Sequence, residues 1–130
     1  MSDAGLALQQ ALYAALADLA GPIVTGVYDG PPAGAVLPYL TIGPDLVTDI
    51  STKTERRRQH LYGVTAWAAG DAVSALKPVL AAAETAVLGI AALDGHRLVT
   101  NDMLRSRTAA DPARGLVSGT IEFRARTETL

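Results

Sequence analysis

The stretch Leu116-Val117-Ser118-Gly119-Thr120-Ile121-Glu122-Phe123-Arg124-Ala125-Arg126-Thr127 decides the reading of the fold. Val117, Gly119, Ile121, Phe123 and Ala125 fall on one side of an extended chain. Ser118, Thr120, Glu122, Arg124 and Arg126 fall on the other. Alternation of this kind marks an antiparallel strand with one face against a core and one toward water. Upstream, residues 96–107 read as a second long strand. The polar, Pro- and Gly-containing residues 108–115 between the two read as a long, mobile loop, and Leu93-Asp94-Gly95 as the turn before them.

Further out, residues 60–68 alternate as well. Leu61, Gly63, Thr65 and Trp67 share one face, and His60, Tyr62, Val64, Ala66 and Ala68 share the other. Neither face is strongly polar, which predicts a central strand covered at least partly on both sides. Between these strands lies an apolar stripe of Leu76, Val79, Leu80, Ala83, Val87 and Ile90 at helical spacing, opened by Gly70-Asp71. Pro78 is awkward within it, because a proline deep in a helix costs about 3 kcal/mol. With Ser74 as the N-cap it falls near the first turn, where the cost shrinks; a kink is the other solution.

At the start of the chain, Leu6, Gln9, Leu12, Tyr13, Leu16 and Leu19 recur at helical spacing. Ser2 or Asp3 caps this helix and Gly21-Pro22 ends it. Residues 23–28 form a short strand, and residues 29–35 a Pro/Gly-punctuated loop. Residues 37–43 form another strand, which Gly43-Pro44 bulges or bends before 46–50 continue it. Residues 51–58 read as a connection. The element order is α-β-β-β-α-β-β, which predicts an α+β fold: a single antiparallel β-sheet of about four to five strands with two α-helices packed on a face.

A chain of 130 residues has room for one domain, taken as residues 1–130. At 49% hydrophobic and 18% charged residues it can build a core. Much of the apolar share is alanine and only 5% is aromatic, so burial against other subunits is expected. The start of the chain lacks the basic residues of a signal peptide. Its most apolar stretch, residues 79–93, carries Glu84 and is shorter than the roughly 20 residues that span a bilayer. The chain therefore reads as soluble and cytoplasmic at synthesis, without membrane contact. Charge is uneven along it. Asp3, Asp18, Asp29, Asp45 and Asp49 are the only charged side chains up to residue 52, and all 11 Lys and Arg follow. Opposite faces of this kind suit head-to-tail contact between copies, where the halves of the sequence map onto faces of the molecule.

No constellation for catalysis can be assembled. With no cysteine there are no disulfides, thiol nucleophiles or Cys-based metal sites. His60 and His96 lie in predicted strands, read as structural, and lack metal-ligand spacing. No carboxylate pair stands out as an acid/base couple, and no nucleophile-elbow, phosphate-loop or dinucleotide motif is present. Gly26 and Gly30 serve strand-to-loop geometry. Trp67, Tyr28, Tyr39 and Tyr62 read as packing rather than a ligand cage. The expected sets of catalytic, cofactor and metal residues are empty.

The sharpest polar feature is Lys53-Thr54-Glu55-Arg56-Arg57-Arg58. It suits contact with phosphate or an acidic partner surface, and equally a solvated loop. The isoelectric point near 5.6 and the lack of aromatics among the basic residues argue against a dedicated nucleic-acid binder.

Taken in order, these segments resemble the small tail-completion (tail-terminator) proteins of long-tailed phages, prophages and gene transfer agents. The resemblance is carried by Ala-Leu-Tyr-Ala-Ala-Leu at 11–16, Val-Tyr-Asp at 27–29 and Leu-Pro-Tyr-Leu-Thr-Ile-Gly at 37–43. It continues through Thr-Asp at 48–49, Ser-Thr-Lys-Thr at 51–54 and the strand from His60 to Trp67. Leu-Asp-Gly-His-Arg-Leu-Val at 93–99 and Gly-Thr-Ile-Glu-Phe-Arg-Ala-Arg-Thr-Glu at 119–128 complete it. Pro78 is the one departure noted. The resemblance implies a structural protein without cofactor: a homo-oligomeric ring, a hexamer, at the head-proximal end of the tail tube. Such a ring stops tube polymerisation and docks the tail to a head-completion (stopper) protein. DNA passes through its lumen without sequence-specific binding. Lys53, Arg56, Arg57 and Arg58 are then expected at a ring interface or near the channel. A different head–tail connector component (stopper or adaptor) and a bacterial α+β module binding a small molecule or protein are the competing readings.

Overall fold

A computed structural model describes residues 3–30 and 32–130. Helix α1 (Ala4–Ala17) is followed by strands β1 (Val27–Asp29), β2 (Tyr39–Ile42), β3 (Leu46–Asp49) and β4 (Arg57–Ala69). A 3-10 turn (Val73–Leu76) then leads into helix α2 (Lys77–Leu88), and strands β5 (His96–Asp111) and β6 (Leu116–Thr129) close the chain. The six strands form one sheet in the order β1-β2-β4-β6-β5, with β3 also paired to β4. The pairs are antiparallel except β1 with β2, which is parallel. The result is the expected α+β architecture with two helices on the sheet. Its strand count is six because the Gly43-Pro44 break divides one run in two: β2 pairs with the second half of β4 and β3 with the first.

The alternation in β4 and β6 sets the layers. His60, Tyr62, Val64 and Ala66 of β4, with Val117, Ile121, Phe123, Ala125 and Thr127 of β6, are buried toward the helices. Leu8, Leu12 and Leu16 of α1 and Leu76, Leu80, Ala83 and Val87 around α2 meet them in one core. Tyr62 and Phe123, directly opposite in register, stack with ring centroids 5.2 Å apart. The Tyr62 hydroxyl donates to Asn101 Oδ1, and Asn101 Nδ2 donates to the Val87 carbonyl at 3.1 Å. One polar link thus ties β4, β5 and the end of α2 together. Burial pushes the Tyr62 hydroxyl well above its ordinary range, so it remains a donor. Where α2 crosses β6, Gly119 lets it approach closely. A Cβ at that position would stand 2.7 Å from Leu80 Cδ1.

Several local expectations are corrected. Asp3 caps α1 by accepting from the Leu6 N–H at 3.3 Å; Ser2 lies outside the described residues. The helix stops at Ala17, short of Gly21-Pro22. Leu6 and Tyr13 are half-exposed, because the buried stripe is Ala4, Ala7, Leu8, Leu12 and Leu16. Ser74 is not the cap of α2. It sits in the 3-10 turn, Leu76 precedes the helix, and Pro78 occupies the first turn, where its missing N–H breaks no helical bond. The stretch 108–115 is no long loop. The ladder of β5 and β6 runs on to Asp111↔Leu116, leaving a tight turn in which Gly115 takes a positive φ of 64°. Pro31 of the 29–35 loop lies outside the described residues. Residues 57 and 58 belong to β4 rather than to the connection before it.

Candidate functional site

The β3–β4 hairpin holds the basic segment. The Thr52 N–H donates to the Glu55 carbonyl at 2.9 Å, the Glu55 N–H to Thr52 Oγ1 at 3.2 Å and the Ile50 N–H to the Arg57 carbonyl at 3.1 Å, so the turn is well defined. This geometry divides the four cations into two pairs. Arg57 and Arg58, inside β4, are tied to carboxylates: Arg57 to Glu55 at 2.6 Å and to Glu128 at 3.9 Å, Arg58 to Asp49 at 2.8 Å. The Ser51 hydroxyl and N–H, then Arg58 and Arg56, hold the Asp49 carboxyl below its ordinary range. Lys53 and Arg56 are exposed on the turn. Among the described residues, neither has a carboxylate within ion-pair distance. The outward charge of the segment is therefore carried by Lys53 and Arg56, with Arg57 and Arg58 locally compensated.

The two histidines serve the core. His60 is fully buried, with Nε2 2.8 Å from Thr127 Oγ1. His96 is also buried and lies beside Thr129, Oγ1 to Nδ1 at 3.4 Å. Among the described residues no group of three or more His, Asp or Glu side chains is placed to hold a metal ion, and no helix is long and apolar enough to cross a membrane.

The face of the sheet away from the helices is open. A shallow groove of about 540 Å³ crosses it, with Leu46, Leu61 and Leu104 as apolar walls and Arg105, Arg107 and Glu122 as polar ones. Arg105 bonds Glu122, which lowers the carboxyl's pKa; Arg107 approaches the same group at 3.8 Å. At one end of the sheet Tyr28 meets Tyr39 edge-on at 5.8 Å, and Tyr39 stacks on Trp67 at 6.4 Å. The Trp67 indole N–H donates to Thr41 Oγ1 at 3.0 Å, so these aromatics are packing residues, as the sequence suggests.

The sequence places Leu6 and Tyr13 in the stripe of α1 and does not single out Leu46 on β3 or Val99, Met103 and Leu104 on β5; all of these side chains are exposed. The available signal was an excess of apolar positions over what one buried helix stripe and one buried strand face require. These positions form separate apolar patches suited to protein contact rather than chemistry.

A profile of the family described as tail completion protein gp17 matches residues 7–128. The chain is also similar to a solved chain of the virion of a native gene transfer agent (GTA) particle. The two are 32% identical with a TM-score of 0.83, over 98% of this chain and 99% of that one. No curated protein sequence matches. With its core, its core-packed histidines and its apolar, charged outer surfaces, the chain belongs to the tail completion protein gp17 family, as a structural rather than enzymatic component of tailed particles.

Proposed function

We propose that the chain is a tail terminator: a hexameric ring at the head-proximal end of the tail tube. It stops tube polymerisation and joins the tail to the head-completion protein, with DNA passing through its lumen. The chain is made in the cytoplasm and built into the particle at the head–tail joint. The observation that carries this reading is the end-to-end likeness, 98% against 99% coverage, to a chain of a GTA virion. The surface supports it. A ring subunit needs two different patches that meet on neighbouring copies, and large apolar side chains stand exposed on α1 at one flank and on β5 at the other. A channel that must release DNA also suits a small positive turn better than a broadly basic surface.

In this reading Lys53, Arg56, Arg57 and Arg58 lie at a ring interface or beside the channel, with Lys53 and Arg56 presenting the charge. Replacing Lys53 and Arg56 by Ser breaks no ion pair among the described residues, so the expected outcome is a folded monomer with blocked assembly or head joining. Replacing all four by Ser should do the same. The readout is infectious or transducing particle titre beside a thermal melt of the purified chain. Normal titres with both variants would contradict this placement.

A further inference from the structure

The two ends of the sheet are unlike. At the β1 end, α1 turns Leu6 and Tyr13 outward, 51% and 52% exposed. Together with Gln9, Gln10, Asp29 and Ile42 they line a groove of about 330 Å³. Every charged side chain from the Asp3 cap of α1 to the end of β3 is acidic: Asp3, Asp18, Asp29, Asp45 and Asp49, of which Asp49 is paired with Arg58. The β5 end is the reverse. β5 is a 16-residue edge strand whose register slips twice, between Leu98 and Thr100 and between Met103 and Arg105. The extra residue at each bulge is a large apolar one: Val99, 44% exposed, and Leu104, 43% exposed. Arg97, Arg105 and Arg107 flank them with side chains 64%, 73% and 74% exposed, while the carboxylates they approach, Glu128 and Glu122, are only 16% and 26% exposed. Asp102 is the single acidic residue on the strand between Arg97 and Arg107. The cations stand outward and the acids lie beneath them.

From this we infer that the β5 edge of one copy docks on the α1–β1 edge of the next copy. Val99 and Leu104 enter the groove beside Leu6 and Tyr13, and the β5 arginines face the acidic flank. The occupant is a second copy of this chain because the two patches complement each other in charge and in apolar content. Strand bulges disrupt the regular row of backbone donors and acceptors on an edge, which disfavours open-ended strand addition and leaves side chains to make the contact. Because β1 and β5 are opposite ends of the sheet, the contact is heterologous and passes from copy to copy in one sense. The inference rests on the ring reading and deepens it by naming the surfaces.

The test uses two full-length variants, Leu6→Asp with Tyr13→Asp, and Val99→Asp with Leu104→Asp, whose positions are exposed. Wild type should form a ring-sized species by light scattering. Each variant alone should stay monomeric. An equal mixture should give a dimer and nothing larger, because only one intact junction remains. Recovery of that dimer also shows that both variants are folded. Rings formed by either variant alone, or a mixture without dimer although both variants melt cooperatively, would overturn the edge-to-edge contact while leaving the ring standing. A wild type that is monomeric at every concentration would overturn the ring in free solution and this contact with it.

Discussion

His60 shows how a residue type that usually signals chemistry is used for packing. It is completely buried, its Nε2 is held by Thr127, and its Nδ1 has no hydrogen-bond partner among the described residues. Burial lowers its pKa; Asp45 and Asp3 oppose that, and His96 and Arg58 reinforce it. The unfolded chain therefore takes up a proton near the ordinary histidine value of about 6.5 while the folded chain does not. Stability contributed by the neutral ring is present above that value. It falls as pH drops below it, by at most about 1.4 kcal/mol per pH unit, until the folded pKa is reached. Urea unfolding of wild type and His60→Gln between pH 7.5 and 5 should show the wild type losing stability faster than the variant. Parallel curves would mean that His60 is not the titrating group. The sequence led to the same structural assignment for His60, because a lone strand histidine without a second ligand at metal spacing has no chemistry to perform. The basic segment was less legible. Six consecutive residues looked like one patch, but the strand that begins at Arg57 brings Glu128 and Asp49 against two of its four cations. Those carboxylates are distant in sequence or concealed by the hairpin.

The strands and helices were readable where one face is apolar and the other polar, as in β4 and β6. They were misread where that contrast fades. β5 alternates poorly because its outer half is exposed on both faces, so residues 108–111 looked like loop although they complete the ladder. In α1 two apolar stripes coexist, and period alone cannot say which one meets the sheet. Leu8 and Ala7 lie inside while Leu6 and Tyr13 lie outside. The alternation of β6 places Gly119 on its apolar face and says nothing more of it, whereas Gly119 is the seat of α2. With Leu80 Cδ1 only 2.7 Å from a Cβ placed there, Gly119→Val should overpack the contact and cost about 1–3 kcal/mol. Leu80→Ala should cost about 2–5 kcal/mol alone. The double variant should cost less than the two together, because the smaller side chain vacates the space the valine needs. Additive losses in chemical denaturation would show that the helix does not sit where this geometry puts it.

The molecule as a whole is a half-covered sheet. Two helices close one face, the other carries a broad shallow groove, and both ends expose apolar side chains among charges of opposite sign. A core built mainly of leucine and valine and a surface that leaves Leu6, Tyr13, Leu46, Val99 and Leu104 exposed suit a subunit that completes its burial against its neighbours, in keeping with membership of a tail-completion family. The decisive measurement is electron microscopy of tail tubes assembled with and without the purified chain, with the chain gold-labelled. A ring terminator gives label at a single end of each tube, an end-on view showing a closed ring around an open lumen, and tubes that cease to lengthen once the ring is in place. Label on tailless heads, label scattered along the tube, or tubes that keep growing in the presence of the bound chain would contradict it.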